Sequence, residues 1–269
     1  MKKLRFHPCG NYRENYKEEL TIFETDFGRL WLGIGLLVLF LILPWVVKPY
    51  MIYVLNMMGI AAIAAIGLNI LIGFTGQISL GHGAFFGVGA YAAAVLATSM
   101  DLPFFMIVPA AAVVTSLVGM IFGIPSVRLK GLYLTIATLA GQFIVEYILL
   151  HWESVTKGTM GITLPKATLL GWDLSGDKSF FFVIFICLIV MTWIAVNMIR
   201  TKYGRAFIAI RDNDLAAEVM GVNLLYYKLL AFFIGCFFAG IAGSLLAHYT
   251  GSVYAEQFSF TESILYVAM

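Results

Sequence analysis

The sequence predicts an all-α fold, a polytopic helical membrane protein, and three observations predict it. Hydrophobic residues make up 61% of the 269 residues and charged residues 12%, a balance foreign to soluble globular domains. The apolar runs are long enough to cross a bilayer, which takes about 20 residues of helix. The basic residues collect on alternate connections between these runs, as orientation in a membrane requires. The short alternating strands that build a membrane β-barrel are not visible.

The elements follow in order. Residues 1–29 are polar and mixed in charge, with Lys2, Lys3, Arg5, Arg13, Lys17 and Arg29 set among Glu14, Glu18, Glu19, Glu24 and Asp26. They read as an N-terminal tail, either a solvated surface segment or a docking arm. No cleavable signal peptide is expected, because the first apolar run starts near Leu30, behind this charged segment, and a second span follows it. The first span covers about 30–47 and stops at Lys48-Pro49, since proline ends a helix. The second covers about 51–72, with Asn56 and Asn69 placed to form interhelical hydrogen bonds. A third continues to about 99, before the Asp101-Leu102-Pro103 turn. The fourth, fifth, sixth and seventh cover about 104–124, 132–150, 180–199 and 226–249. His248 is expected at a membrane interface. Glu146 is a functional candidate as a carboxylate in a span, or else a side chain that reaches the nearby interface. Residues 261–269 open one more apolar run. Nine residues cannot cross a bilayer, so the C-terminus of the 30–269 transmembrane domain reads as truncated.

With the N-terminus in the cytoplasm and seven alternating spans, thirteen lysines and arginines fall inside and four outside. The inside set includes Arg128, Lys130, Arg200, Lys202, Arg205, Arg211 and Lys228; the outside set is Lys48, Lys157, Lys166 and Lys178. This bias satisfies the positive-inside rule. It also puts the polar loop 151–178, flanked by Trp152 and Trp172, on the outside. The three cysteines, Cys9, Cys187 and Cys236, suggest neither a disulfide framework nor a metal site.

Two stretches carry chemistry. Residues 73–91 are uncharged yet hold six glycines together with Thr75, Gln77, Ser79 and His82. Each glycine costs a soluble helix about 1 kcal/mol relative to alanine; in a bilayer, a Gly83-x-x-x-Gly87 face permits close helix packing. Two readings stand open: a cytoplasmic turn before a tightly packed membrane helix, or a broken or re-entrant helix lining a cavity. Residues 200–225 are polar and basic. Asp212, Asn213 and Asp214 are N-cap types, Leu215–Met220 are helix formers, and Gly221 is a stop. The resulting short helix exposes Ala216, Ala217, Val219 and Met220. It either lies on the membrane interface or docks in a groove of another protein.

Ala216-Ala217-x-x-x-Gly221 resembles the Glu-Ala-Ala-x-x-x-Gly coupling loop of ABC importer permeases, with Leu215 where the generic motif has Glu. Residues 67–91, from Gly67-Leu-Asn through Gly76-Gln-Ile-Ser-Leu-Gly-His82, resemble the signature of branched-chain amino-acid permeases. Gly204-Arg-Ala-Phe-x-Ala-Ile-Arg211-Asp-Asn213 resembles the same family's run before its coupling helix. The run 128–139 is similar to that of the larger, M-type subunit. Thr156-Lys-Gly-Thr-Met-Gly161-Ile162 resembles the family's Thr-Gly-Gly-x-x-Gly-Ile loop, with Lys157 in place of a glycine.

The resemblance covers about residues 30–269 and implies an ABC importer permease with a cytoplasmic coupling helix, in a bacterial or archaeal cytoplasmic membrane. It implies a second permease subunit, two cytoplasmic ATP-binding subunits and an extracytoplasmic binding protein, with no cofactor, no metal and no nucleic acid. The chain has no Gly-x-x-x-x-Gly-Lys-Ser/Thr loop, so ATP hydrolysis is expected on the separate subunits. Arg211, Asp212, Asp214, Ala216, Ala217 and Gly221 are the candidate coupling residues. Asn69, Gln77, Ser79 and His82 are candidates to line the translocation pathway. Branched-chain or other hydrophobic amino acids are the implied substrates. Urea permeases share much of this pattern, so urea or a short amide is the alternative. An ion-coupled secondary transporter would show mid-span ionisable residues, and these are nearly absent. A membrane enzyme built on His82 or His248 lacks any nucleophile–base spacing.

Overall fold

The computed structural model describes residues 38, 40 and 42–264, except 101–102, 128, 130, 166–167, 170–171, 174–175 and 262. The N-terminal tail, most of the first expected span, and Arg128, Lys130 and Lys166 lie outside the described residues. Two compact units are formed, residues 1–52 and 53–269. In the first, residues 42–46 are helical, the chain bends at Val47, and a new helix starts at Pro49, where proline's missing N–H costs nothing.

Among the described residues, five helices are long and apolar enough to cross a bilayer: Pro49–Phe74, Phe104–Gly123, Leu132–His151, Asp177–Arg200 and Leu224–Thr250. The expected second, fourth, fifth, sixth and seventh spans agree with them to within about one helical turn, and the expected third is not among the five. The first of the five comprises α1, Pro49–Asn69, and the π-turn Ile70–Phe74. Then follow α2, His82–Ser99, α3, Phe104–Gly123, and α4, Leu132–His151. Next come α5, Asp177–Arg200, the short α6, Lys202–Asp212, and α7, Asp214–Val219, and last α8, Leu224–Thr250. The protein is a multi-pass helical membrane protein.

Helix α8 is the centre of the packing and lies along both α2 and α3. Two glycines explain the closeness. A Cβ on Gly89 would stand 2.6 Å from the Cα of Gly240, and one on Gly240 would stand 2.7 Å from the Cα of Ala112. Backbone meets backbone at this level, which gains dispersion contacts where lipid offers no hydrophobic driving force. Phe232, Phe238 and Leu245 fill the spaces on either side. Helix α5 shows the reverse: Ile186, Ile189 and Trp193 are exposed, as a face toward hydrocarbon should be. Asn56 donates from Nδ2 to the Asp177 carbonyl at 3.0 Å, the interhelical bond expected of it. Glu146 is half-buried on α4.

Two packing expectations are corrected. The Gly83-x-x-x-Gly87 face does not meet another long helix; a Cβ on Gly83 would strike Ser263, and one on Gly87 would strike Phe258. The small residues leave room for the segment after α8. His248 is buried rather than interfacial: its ring packs edge-on to Phe104 at 4.9 Å, and Nδ1 lies 2.9 Å from the Ser244 carbonyl.

At one end of the helices, Ile162–Thr163 pairs antiparallel with Ser252–Val253. The chain reaches this pairing through Lys157, Gly158 and Gly161, all at positive φ. Lys157, at φ 56°, is the one described non-glycine residue in the left-handed region, and it stands where the resembled loop has glycine. A β-branched residue there should clash with its own backbone. Lys157→Val is expected to lower stability by about 1–2 kcal/mol, while Lys157→Gly should leave the midpoint of thermal unfolding in detergent unchanged or raised.

Candidate functional site

Helix α1 does not end in an ordinary turn. After the π-turn, Gly76 adopts φ +67° and reverses the chain. The Gln77 N–H reaches back to the Leu71 carbonyl at 3.0 Å, and the Gly76 N–H to that of Ile72 at 3.1 Å. The Thr75 hydroxyl donates to the Leu71 carbonyl at 2.6 Å and accepts from Gln77 Nε2 at 3.0 Å. Residues 76–81 are non-helical, and α2 begins at His82. Leu80 N–H donates to Thr138 Oγ1 at 3.1 Å, and Ala84 N–H donates to Gln142 Oε1 at 2.6 Å. Helix α2 therefore starts beside the middle of α4. Of the two readings of this stretch, the geometry is that of the broken helix.

The start of α2 has no cap from its own sequence. Gly81, at the cap position, has no side chain, and a Cβ there would lie 2.5 Å from the Thr138 carbonyl oxygen. The orphan N–H groups of a first turn still need acceptors. Gln142 serves Ala84, and Ser263 Oγ accepts from Gly83 N–H at 2.7 Å. Gln142 Nε2 donates to the Phe258 carbonyl at 2.8 Å, and Ser263 Oγ donates to Gln142 Oε1 at 2.9 Å. This network escaped the sequence reading. Its one trace there is the i, i+4 spacing of Thr138 and Gln142 on an apolar span.

Gln77, Ser79 and His82 are all buried, yet Gln77 Oε1, Ser79 Oγ and both His82 ring nitrogens have no hydrogen-bond partner. The imidazole lies against the backbone of Ala64 without a well-formed bond to it. Buried polar groups are normally paired, so a set of unpaired ones gathered at the helix break is a store of donors and acceptors. Asn69 is placed apart from these three. It is exposed, above Gly73, and its side chain makes no hydrogen bond among the described residues, so the interhelical bond expected of it is not formed there.

The basic end is built by α6 and α7. Thr201 caps α6 by accepting from Tyr203 N–H, and Asn213 caps α7 by accepting from Ala216 N–H at 3.1 Å. Of the three cap-type residues, Asn213 takes the position because its backbone is extended, with φ −160° and ψ 106°. Gly221 follows α7 at φ +87° with open space around it. Leu215, Ala216, Val219 and Met220 are exposed. Ala217 departs from expectation: it is buried, because a single turn anchored at Asp214 must turn one position inward.

Two polar contacts tie this end to the spans. Arg211 Nη1 donates to the Gly73 carbonyl at 3.0 Å, while Nε and Nη2 donate to Asp212 Oδ1 at 3.1 and 3.0 Å. A cation there serves a carbonyl left free at the end of α1 and meets the negative end of its dipole. The Arg211 stem also covers Gly76, where a Cβ would stand 3.0 Å from Arg211 Cγ. Asp214 pairs with the buried Lys228 of α8 at 3.7 Å. The sequence reading counted Lys228 only as one more basic residue. Thr75, Gln77, Arg211, Asp212, Asp214 and Lys228 all line one cavity of about 320 Å³. Gln77 of the pathway set thus meets the coupling set in a single site.

The family described as "Branched-chain amino acid transport system / permease component" matches residues 50–269. The high-affinity branched-chain amino acid transport system permease protein LivM of Salmonella typhimurium is 34% identical over 259 residues, covering 87% of this chain and 61% of the relative. LivM of Escherichia coli is 34% identical over 260 residues, covering 88% and 61%. A probable branched-chain amino acid transport permease protein, LivH, of Methanocaldococcus jannaschii is 26% identical over 190 residues, covering 68% and 60%. The chain thus spans 61% of the length of the two LivM relatives. No solved structure matches significantly.

The network around Gln142 makes a measurable demand. Gln142→Leu should strand the Ala84 N–H and the Phe258 carbonyl in a buried place and cost about 2–4 kcal/mol. Gln142→Glu keeps an acceptor for Ala84 and should cost less. Thermal unfolding of the purified variants in detergent checks the order.

Proposed function

Because the chain belongs to the branched-chain amino acid transport system permease family, we propose that it is a membrane permease subunit of an ATP-driven importer for branched-chain or other hydrophobic amino acids. It sits in the cytoplasmic membrane of a bacterium or archaeon with its N-terminus in the cytoplasm. It works beside a second permease subunit, two cytoplasmic ATP-binding subunits and an extracytoplasmic binding protein.

The observation that carries this reading is α7. A capped helix of six residues, presenting Leu215, Val219 and Met220 to the outside at the basic end, has the form of a ridge for another protein's groove. A hollow of about 600 Å³ bordered by Leu215, Glu218 and Leu225 adjoins it. The cations on the same end, Arg200, Lys202, Arg205 and Arg211, support its facing the cytoplasm.

The mechanism is a coupling of states. ATP binding closes the ATPase pair, and α7 moves with it. The Asp214–Lys228 pair carries the displacement to α8, and the Arg211–Gly73 hydrogen bond carries it to the interruption after α1. A π-turn followed by a left-handed glycine absorbs such a change where a continuous helix would resist it. Gln77, Ser79, His82 and Asn69 then offer polar groups to a solute that bears both charges, and a wholly apolar route would strip that solute of its hydration.

The test is the double variant Val219→Glu/Met220→Glu. These side chains are 87% and 84% exposed, so yield and thermal stability should hold. Co-purification of the ATP-binding subunits and ATP-driven leucine uptake in proteoliposomes should each fall at least tenfold. Undiminished uptake would refute docking through α7.

A further inference from the structure

Of the five spans among the described residues, α5 is the least covered by the rest of the chain. Its exposed Ile186, Ile189, Val190 and Trp193 are spaced three and four apart, so they form one stripe along the helix. Asn197 and Arg200 continue the same stripe to the end of α5 and are exposed as well. The stripe is thus apolar for most of its length and cationic at the basic end. Two more cations stand beside Arg200. Thr201 leaves the helix with ψ −178°, and its carbonyl and hydroxyl accept from Arg205 N–H and Tyr203 N–H, which starts α6 at once. Gly204 lets the first turn of α6 lie against the last turn of α5, since a Cβ there would strike the Ile199 carbonyl. Lys202 and Arg205 are exposed on this corner, and Lys202 Nζ lies 5.4 Å from the centre of the Tyr203 ring. Arg200, Lys202 and Arg205 form no ion pair among the described residues, whereas Arg211 and Lys228 do. Every residue from 176 to 227 is described, and the carboxylates between 178 and 214 are Asp212 and Asp214, at the far end of α6, where they pair with Arg211 and Lys228.

We propose that this corner, together with the stripe on α5, binds an anionic phospholipid. The lipid phosphate takes Arg200, Lys202 and Arg205, and an acyl chain lies along Trp193, Ile189 and Ile186. The lengths agree. Trp193 precedes Arg200 by seven residues, about 10 Å of helix, so a phosphate at the arginine sets the part of the chain nearest the headgroup at the indole. A lipid carries its charge at one end and its apolar length along the rest, as this surface does in complement, and basic clusters just beyond a span attract anionic headgroups. An acidic protein surface would match the three cations but not the apolar stripe that leads into them. In the proposed importer, a lipid held here steadies the first turn of α6 while α7, beyond its other end, moves; the binding itself does not need that reading.

The test uses the full chain, purified in detergent with the subunits that accompany it, and measures no transport. Subtracting the tryptophan fluorescence of the Trp193→Phe variant isolates the Trp193 signal. Phosphatidylglycerol or phosphatidylcholine with brominated acyl chains is then titrated in, and bromine quenches an indole it touches. Half-quenching of Trp193 is expected at a phosphatidylglycerol fraction at least fivefold below that for phosphatidylcholine. Raising salt from about 50 mM to about 500 mM should cut this preference below twofold, because exposed charges are screened. The triple variant Arg200→Gln/Lys202→Gln/Arg205→Gln should abolish it, and since these side chains are exposed thermal stability should hold. Arg200→Lys/Arg205→Lys keeps the charge and should keep the preference. Lys157→Gln, at the opposite end of the helices, should leave it unchanged. Equal half-quenching by the two lipids overturns the site, as does a preference that survives the triple variant or high salt. A preference lost equally in Lys157→Gln belongs to net charge and overturns it too. If the triple variant keeps the preference yet sheds an accompanying subunit, the corner is a protein contact and the lipid site fails.

Discussion

A helix broken inside a bilayer leaves backbone groups that water cannot reach, and each of them must find a partner in the protein. The interruption at residues 76–81 depends on this being met. Gln142 meets the largest part of it, holding Ala84 N–H with its oxygen and the Phe258 carbonyl with its nitrogen. Thr138, Ser263 and Arg211 take the remaining loads at Leu80, Gly83 and Gly73. The break is therefore a junction of four parts of the chain, none adjacent in sequence. The position of α2 follows from it, and so does the packing of α8 against α2 and α3.

The same junction links the two regions to which the proposed function assigns the pathway and the coupling. On one side lie the unpaired groups of Gln77, Ser79 and His82; on the other lies α7 with its exposed apolar ridge. Arg211 bridges them by closing the end of α1, and Lys228 anchors α7 to the most buried helix. A rigid helix in place of the π-turn and Gly76 would lock these regions together. A flexible loop would let one move without the other. A sharp turn held by side-chain hydrogen bonds lies between these extremes, as the proposed transmission requires.

Much of this was legible in the sequence, because spans and caps are written in local patterns. Long apolar runs marked the spans, Lys48-Pro49 marked the restart, and Gly221 marked the end of α7. Beyond the Gln142 network and the Lys228 pair, three more features were not legible, each because it depends on what the fold brings alongside. Ala217 and Ala216 look alike in sequence, and only the anchoring of Asp214 decides which one turns inward. His248 lies at the end of a span, where an interfacial position is the ordinary expectation, but Phe104 closes over it. Gly83 and Gly87 announced close packing without naming the neighbour, which proved to be the segment after α8. Lys157 is the opposite case: its departure from the resembled glycine loop was visible at once, and its left-handed backbone gives the physical reason the loop favours glycine.

The Ser263–Gly83 hydrogen bond joins residues 180 positions apart, which has a consequence for biosynthesis. Helix α2 leaves the ribosome with its first turn uncapped, and the hydroxyl that completes it has not yet been made. At about 5–20 residues per second, the wait is roughly 10–40 s. During that interval the nascent α2 sits at the insertion site with free N–H groups at its start. The start of α2 is therefore completed only when residues 258–263 arrive.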